Sequence, residues 1–257
     1  MPHIDKPNAG TIVWTELATP DLGRARAFYS ELLGWSFTGG DDPRTGHYTM
    51  AQIAGRDVAG LRPRGPNESA PAAWLVYFGT DSVDETAAKV SAAGGQVAVP
   101  AMDVMDFGRM AVCADPAGAV FGLWQGKQHL GARIVNDPGA TAWHEVYSRD
   151  AQKALAFYTQ VFGLEARKLD APGIEYWSLH KGDLTVGGTM QMSDQFPKEV
   201  PSHWNSYFAV SDTDAATRKL EQLGGKVFQP AFDTAYGRMS AVADPLGVGF
   251  CLIKPKS

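Results

Sequence analysis

AFYSELLGW at residues 27–35 returns as AFYTQVFGL at residues 156–164, an offset of 129 residues. FGRMAVCADPAGAVFGLW at 107–124 returns at the same offset as YGRMSAVADPLGVGFCLI at 236–253. Segments that recur in order and at one spacing mark a duplicated structural unit. Two homologous domains are expected, over residues 10–126 and 139–254. Between them KQHLGARIVNDPG (127–139) has no apolar periodicity and ends in Asp-Pro-Gly, the composition of a short surface linker.

Each domain divides again. Four segments begin with a tryptophan on a short alternating run, at Trp14, Trp74, Trp143 and Trp204, and then pass into a helical pattern. In the first helix Leu22, Ala25, Phe28 and Leu32 recur at intervals of three and four, and in the third Ala154, Phe157 and Val161 do so, laying one apolar stripe on a sheet. Asp21, Asp81, Asp150 and Asp212 stand where an N-cap carboxylate accepts the free amides of a first helical turn. Gly34 and Gly163, and the pairs Gly94-Gly95 and Gly224-Gly225, stand where a helix ends in the left-handed conformation. Asp115-Pro116-Ala117-Gly118 and Asp244-Pro245-Leu246-Gly247 carry proline and glycine at the second and fourth positions of a type I turn. The pattern predicts an α+β fold of four βαβββ modules, paired into two domains.

The 257 residues are 44% hydrophobic, and 23 Lys+Arg against 28 Asp+Glu leave a net charge of −5. Such a chain has no positive field with which to neutralise phosphates. Nucleic acid and membrane are therefore not expected as partners, whereas a small-molecule ligand or substrate is. The longest apolar run, AVFGLW at 119–124, falls well short of the roughly 18 residues that span a bilayer, and MPHIDKPNAG at the start has no apolar leader. Cys113 and Cys251 are too few for a disulfide framework. A cytoplasmic monomer or homodimer is the expectation.

The pattern W-x-x-[LV]-x-[ST]-x-D, then A-x-x-F-Y-x-x-[LV]-[LF]-G, then D-P-x-G-x-x-F near each domain end, resembles the vicinal oxygen chelate superfamily, which includes glyoxalase I, bleomycin-resistance proteins and extradiol dioxygenases. The tandem arrangement is more narrowly similar to actinobacterial glyoxalase-like proteins. The resemblance implies paired modules forming an open sheet around a cavity, with metal ligands from the first and last strands of each module. The first-strand ligand position falls on Trp14, Trp74, Trp143 and, allowing for a shifted cap, Trp204. The last-strand position falls on Gly122 and Cys251, with Gly60 and Gly188 in the odd modules. None but the lone cysteine is a donor for a divalent ion. No metal and no cofactor is expected, and glyoxalase I and dioxygenase chemistry do not transfer directly.

Side chains two apart on a strand face the same way. If each tryptophan points into the cavity, Glu16, Val76, Glu145 and Ser206 point there too, one carboxylate for each domain. A carboxylate between aromatic walls loses hydration and becomes a general acid or base near neutral pH; the competing reading has it hydrogen-bonded by an indole or paired with Arg109 and Arg238 of the repeated G-R-M motif. Trp14, Trp74, Trp143, Trp204, Tyr48, Tyr77, Tyr147, Tyr176 and Tyr207 are candidate walls for a flat or amphiphilic ligand, with packing of the core as the alternative for the tryptophans. Phe107, with Met102 and Met105, is a candidate lip of the cavity. His144, next to Trp143, should face away from the cavity, toward a helix or the other domain, and with Glu145 and Cys251 it concentrates reactive groups in the second domain. Two functions stay open: a metal-free binding protein for a small, partly apolar metabolite or natural product, and a metal-independent isomerase, lyase or cyclase using Glu16 or Glu145, with Arg109, Arg238 or a tyrosine on the developing oxyanion.

Overall fold

The structure is a computed structural model and describes residues 9–65, 68, 72–170 and 173–256; the amino-terminal stretch read as lacking a leader lies, except for its last two residues, outside them. The first domain runs β1 (Ile12–Thr19), α1 (Leu22–Leu33), β2 (Ser36–Gly39), β3 (Thr49–Ile53), β4 (Arg56–Pro63), β5 (Ala73–Gly79), α2 (Val83–Ala92), β6 (Gln96–Val104), β7 (Gly108–Ala114) and β8 (Val120–Gly126). The second runs β9 (Thr141–Ser148), α3 (Ala151–Phe162), β10 (Glu165–Leu169), β11 (Tyr176–Lys181), β12 (Leu184–Gln191), β13 (His203–Ala209), α4 (Thr213–Gln222), β14 (Lys226–Asp233), β15 (Gly237–Ala243) and β16 (Gly249–Pro255). That is βαβββ four times. Each domain is one eight-stranded sheet, ordered β2-β3-β4-β1-β5-β8-β7-β6 and β10-β11-β12-β9-β13-β16-β15-β14. Its two modules join where β1 runs antiparallel to β5, and β9 to β13.

Local chemistry sets the boundaries. Asp21, Asp150 and Asp212 cap α1, α3 and α4 by accepting the amides of Arg24, Lys153 and Ala215 at 2.9–3.0 Å. For α2 the cap is Ser82, not Asp81. The Ser82 amide donates to Thr80 Oγ1, turning the chain so that the serine hydroxyl, one residue further on, meets the Glu85 amide. Gly34 and Gly163 close α1 and α3 at φ of 73° and 65°, where a Cβ would be strained.

The two sheets turn their helix-bearing faces toward each other, and the core is divided across the domain boundary rather than along it. One cluster joins Phe78, Val83, Val90 and Phe121 of the first domain to Phe157, Tyr158, Phe162 and Leu179 of the second. The other joins Leu17, Phe28, Tyr29 and Trp35 to Phe208, Leu220, Phe250 and Leu252. The Asp-Pro-x-Gly turns reach into these clusters. Asp115 accepts the amides of Ala117 and Ala119 and the hydroxyl of Tyr158 from the other domain, at 2.8–3.0 Å. Asp244 likewise accepts Leu246, Val248 and Tyr29. Burial raises the pKa of both acids. Facing helices outward to each other leaves the opposite face of each sheet, here called its cup, turned away from the domain interface.

Candidate functional site

In an antiparallel pair, residues directly opposite share a face. Trp14 lies opposite Tyr77 and Glu16 opposite Leu75, so the cup side of β5 carries Leu75 and Tyr77, and Trp74 lies on the other side. The second domain repeats this, with Trp143 opposite Tyr207 and Glu145 opposite Asn205. The four tryptophans therefore divide two and two. Trp14 and Trp143 face the cups; Trp74 and Trp204 donate to Tyr29 and Tyr158 at 3.2 and 2.9 Å inside the interdomain core. Val76 and Ser206 go with them, contrary to the expectation that all four segments point alike, because the chain enters β5 and β13 one residue out of phase with β1 and β9.

Both cups are built on one plan. In the first, Glu16 accepts from Arg62 Nε at 2.9 Å and from Tyr77 at 3.3 Å, while Trp14 donates to Tyr48 at 2.8 Å. Burial raises the pKa of Glu16, with Arg62 and the hydrogen bonds of Tyr48 and Tyr77 opposing. In the second, Glu145 accepts from Tyr176 at 2.6 Å, from Trp143 Nε1 at 3.3 Å and from Tyr207. Trp143 also donates to Tyr176 at 2.9 Å. Tyr207 and Tyr147 are 3.0 Å apart, Asn205 reaches Tyr147 and Cys251, and burial beside Glu145 pushes the Cys251 thiol up to about 12.

Arg109 and Arg238 are not at these carboxylates. Arg109 pairs with Asp84 and Asp103, and Arg238 with Asp214 and Asp233. The G-R-M strands β7 and β15 lie three places from β1 and β9 in the sheets, too far for a guanidinium to cross. The arginine that does reach Glu16 is Arg62, two residues beyond Gly60 and so on the same face of β4. Its counterpart beside Glu145 is Met190, since Arg62 lies opposite Ala18 and Met190 opposite Tyr147. His144 also stands outside the cups. Its Nδ1 meets Ser206 Oγ at 3.0 Å, Ser206 meets Thr15 at 3.3 Å, and the ring lines an interdomain cleft of about 340 Å³.

The cups differ in what covers them. The linker after β8 folds over the first: the amides of Lys127 and His129 donate to Phe107 O, Trp124 Nε1 donates to His129 O, and Ala132 N donates to Val13 O. The His129 ring stands edge-on against Trp14 and Trp124, at 4.5 and 5.7 Å. Phe107 thus serves as an anchor through its backbone, while its ring stays exposed. After β16 the Lys256 amide makes the matching bond to Tyr236 O, but among the described residues no ring stands against Trp143 as His129 stands against Trp14. Trp14 is buried, whereas Trp143, Tyr147, Tyr176 and His203 are half-buried, with His203 and Phe196 packed edge-on to Tyr147.

A family model for the Glyoxalase/Bleomycin resistance protein/Dioxygenase superfamily matches residues 11–123 and 139–252. The chain belongs to this superfamily. Its superfamily relatives include the "Putative glyoxylase CFP32" of Mycobacterium tuberculosis, 40% identical over 99% of this chain and 98% of that one, and the "Anthracycline biosynthesis protein DnrV" of Streptomyces peucetius, 36% identical over 95% and 93%. Among solved structures, the fold is shared with the 2,3-dioxygenase LapB of Pseudomonas sp. KL28 at TM-score 0.66 and 16% identity, over 97% of this chain and 94% of that one. The Mn(II)-bound glyoxalase of Novosphingobium aromaticivorans gives TM-score 0.66 at 18% identity, over 95% and 82%. Among the described residues no three His, Cys, Asp or Glu side chains are grouped to hold a metal ion.

The glycines at the superfamily's ligand positions are filled from the side. A Cβ at Gly60 would stand 1.9 Å from Tyr48 Oη, one at Gly188 2.0 Å from Tyr176 Oη, and one at Gly122 2.1 Å from the Tyr77 ring. Tyr77 is 4% exposed and cannot swing out. Gly122→Ala is accordingly expected to cost about 1–3 kcal/mol by overpacking, read as a lowered denaturation midpoint; an unchanged midpoint would contradict it. Tyr176 is half-buried and free to move, so Gly188→Ala should instead expel its hydroxyl from Glu145, leaving stability less affected and changing what the second cup binds.

Proposed function

We propose that the protein binds a small, partly apolar aromatic metabolite in the second cup without the help of a metal ion. The observation that carries this is the pairing of an open, half-buried aromatic wall, Trp143, Tyr147 and Tyr176, with a buried carboxylate at its floor. The superfamily's metal does not fit the residues here: Trp143, Gly188 and Cys251 occupy the expected ligand positions, and the Tyr176 hydroxyl takes the space of a side chain at Gly188. Tryptophan and tyrosine bring broad contact area with a polar tip, which suits a flat ligand carrying a few oxygens. Relatives named for anthracycline biosynthesis support a polycyclic natural product as the class.

Binding is favoured over proton transfer because both acids are already engaged. Glu16 is salt-bridged to Arg62 beneath the linker, and each oxygen of Glu145 holds at least one donor. Titration of the tryptophan fluorescence with a hydroxyanthraquinone tests the proposal. Saturable quenching is expected, unchanged by chelator, weakened about tenfold in Tyr147→Ala, with the compound recovered intact. Loss of quenching on chelation, or recovery of a chemically altered compound, would overturn it.

A further inference from the structure

The two cups differ in one charge. Glu16 has a guanidinium 2.9 Å away, and that guanidinium is shared with Glu68. Glu145 has Met190 at the corresponding place and, among the described residues, no ion pair; Arg149, four residues further along the chain, is spent on the carbonyls of Pro197 and Val200. A buried carboxylate without a counter-ion is costly. Here three donors and no acceptor converge on it, which is the surrounding of an ionised group.

Tyr207 and Tyr176 each own one hydroxyl proton, and each gives it to Glu145. The hydrogen bond between Tyr207 and Tyr147 must then be donated by Tyr147. Every phenol proton of the cluster points toward the carboxylate; Tyr176 accepts from Trp143 and Tyr147 from Asn205, so the one lone pair left on each oxygen is what remains for an arriving molecule. A carboxylate or phosphate would meet those lone pairs head-on. A group that brings protons and positive charge would meet acceptors, aromatic faces suited to cation–π contact, and the field of an uncompensated anion behind them.

Resting on the reading of this cup as an aromatic ligand site, we propose that it selects an organic cation: a flat apolar body bearing a protonated amine. The test is calorimetric titration with naphthylmethylamine, naphthalenemethanol and naphthoic acid, three probes of one body and different charge. The amine should bind at least about tenfold more tightly than the alcohol, and the acid most weakly. Glu145→Gln should bring the amine-to-alcohol ratio close to one. Met190→Arg, which copies the Arg62 of the first cup and leaves Glu145 in place, should likewise bring the ratio close to one by supplying the missing counter-ion, and thermal melts of both variants establish that they fold. An alcohol as tight as the amine in the unmodified protein, or an amine preference that survives both substitutions, would overturn charge selection while leaving the aromatic site standing. No heat from any of the three probes would overturn the aromatic site as well.

Discussion

Asp115→Ala is expected to destabilise the whole chain by about 3–5 kcal/mol, because it strips three donors, two of them buried, of their acceptor at once. The amides of Ala117 and Ala119 lose the group that folds the turn, and Tyr158, whose oxygen still accepts from Trp204 at 2.9 Å, is left with a buried hydroxyl proton that has no acceptor. At about 2–4 °C for each kcal/mol in a chain of this size, the melting temperature should fall by about 10 °C. Exposed Asp106→Ala is the control and should move stability by less than about 0.5 kcal/mol. Since Asp115 and Tyr158 belong to different domains and the core clusters are shared between them, probes in either half should report one common transition. A variant that melts at the wild-type temperature, or that melts in two steps, would show that the turn is not the clamp described.

The second large effect is acid loss of stability. Burial pushes the imidazoles of both His129 and His144 down to about 4, with Asp57 opposing and Arg133 assisting at His129. His129 Nε2 is buried with no hydrogen-bond partner, so a proton placed there has nothing to face. In the unfolded chain both rings take up a proton near pH 6.5, while the native protein refuses it until about pH 4. The stabilisation is thus complete above about pH 6.5 and is lost progressively as pH falls toward 4. Each ring contributes about 3 kcal/mol at full extent. Asp115, Asp244 and Glu16, whose pKa values are raised, act in the opposite sense toward the acid end of that window. Denaturation midpoints compared at pH 7.5 and 4.5 should show a large drop, and His129→Phe, which keeps an aromatic ring against Trp14, should remove about half of it. Equal midpoints at the two pH values would refute the assignment.

The modules were legible because each carries its own punctuation: caps, terminal glycines and the Asp-Pro-x-Gly turn recur at one spacing, and local signals that agree four times over leave little choice of topology. Glu16 shares a face with Trp14 and Glu145 with Trp143 because period 2 on a strand is a local property, and Tyr48, Tyr77, Tyr147, Tyr176 and Tyr207 join them in the two cups. What escaped was set by pairing between strands. The faces of Trp74 and Trp204 depend on how β5 and β13 meet β1 and β9, with register shifts beside Trp14 and Tyr207. The mate of Glu16 depends on sheet order, which brings β4 rather than β7 alongside β1. Arg62 did leave one trace, two residues from Gly60 on an apolar strand. The covering of one cup by the linker left none, since its residues look like any surface connection.

That covering has a consequence for counting. Two separate, identical polypeptides related by a twofold would present two equivalent seats, and either could be filled first. Joining them head to tail requires a tether, and here it is sewn across the half it leaves from by the bonds of His129 and Ala132. Covalent continuity alone thereby breaks the equivalence of the halves. The expected stoichiometry is one molecule bound for each chain, with a hyperbolic isotherm, despite a sequence that spells the same architecture twice.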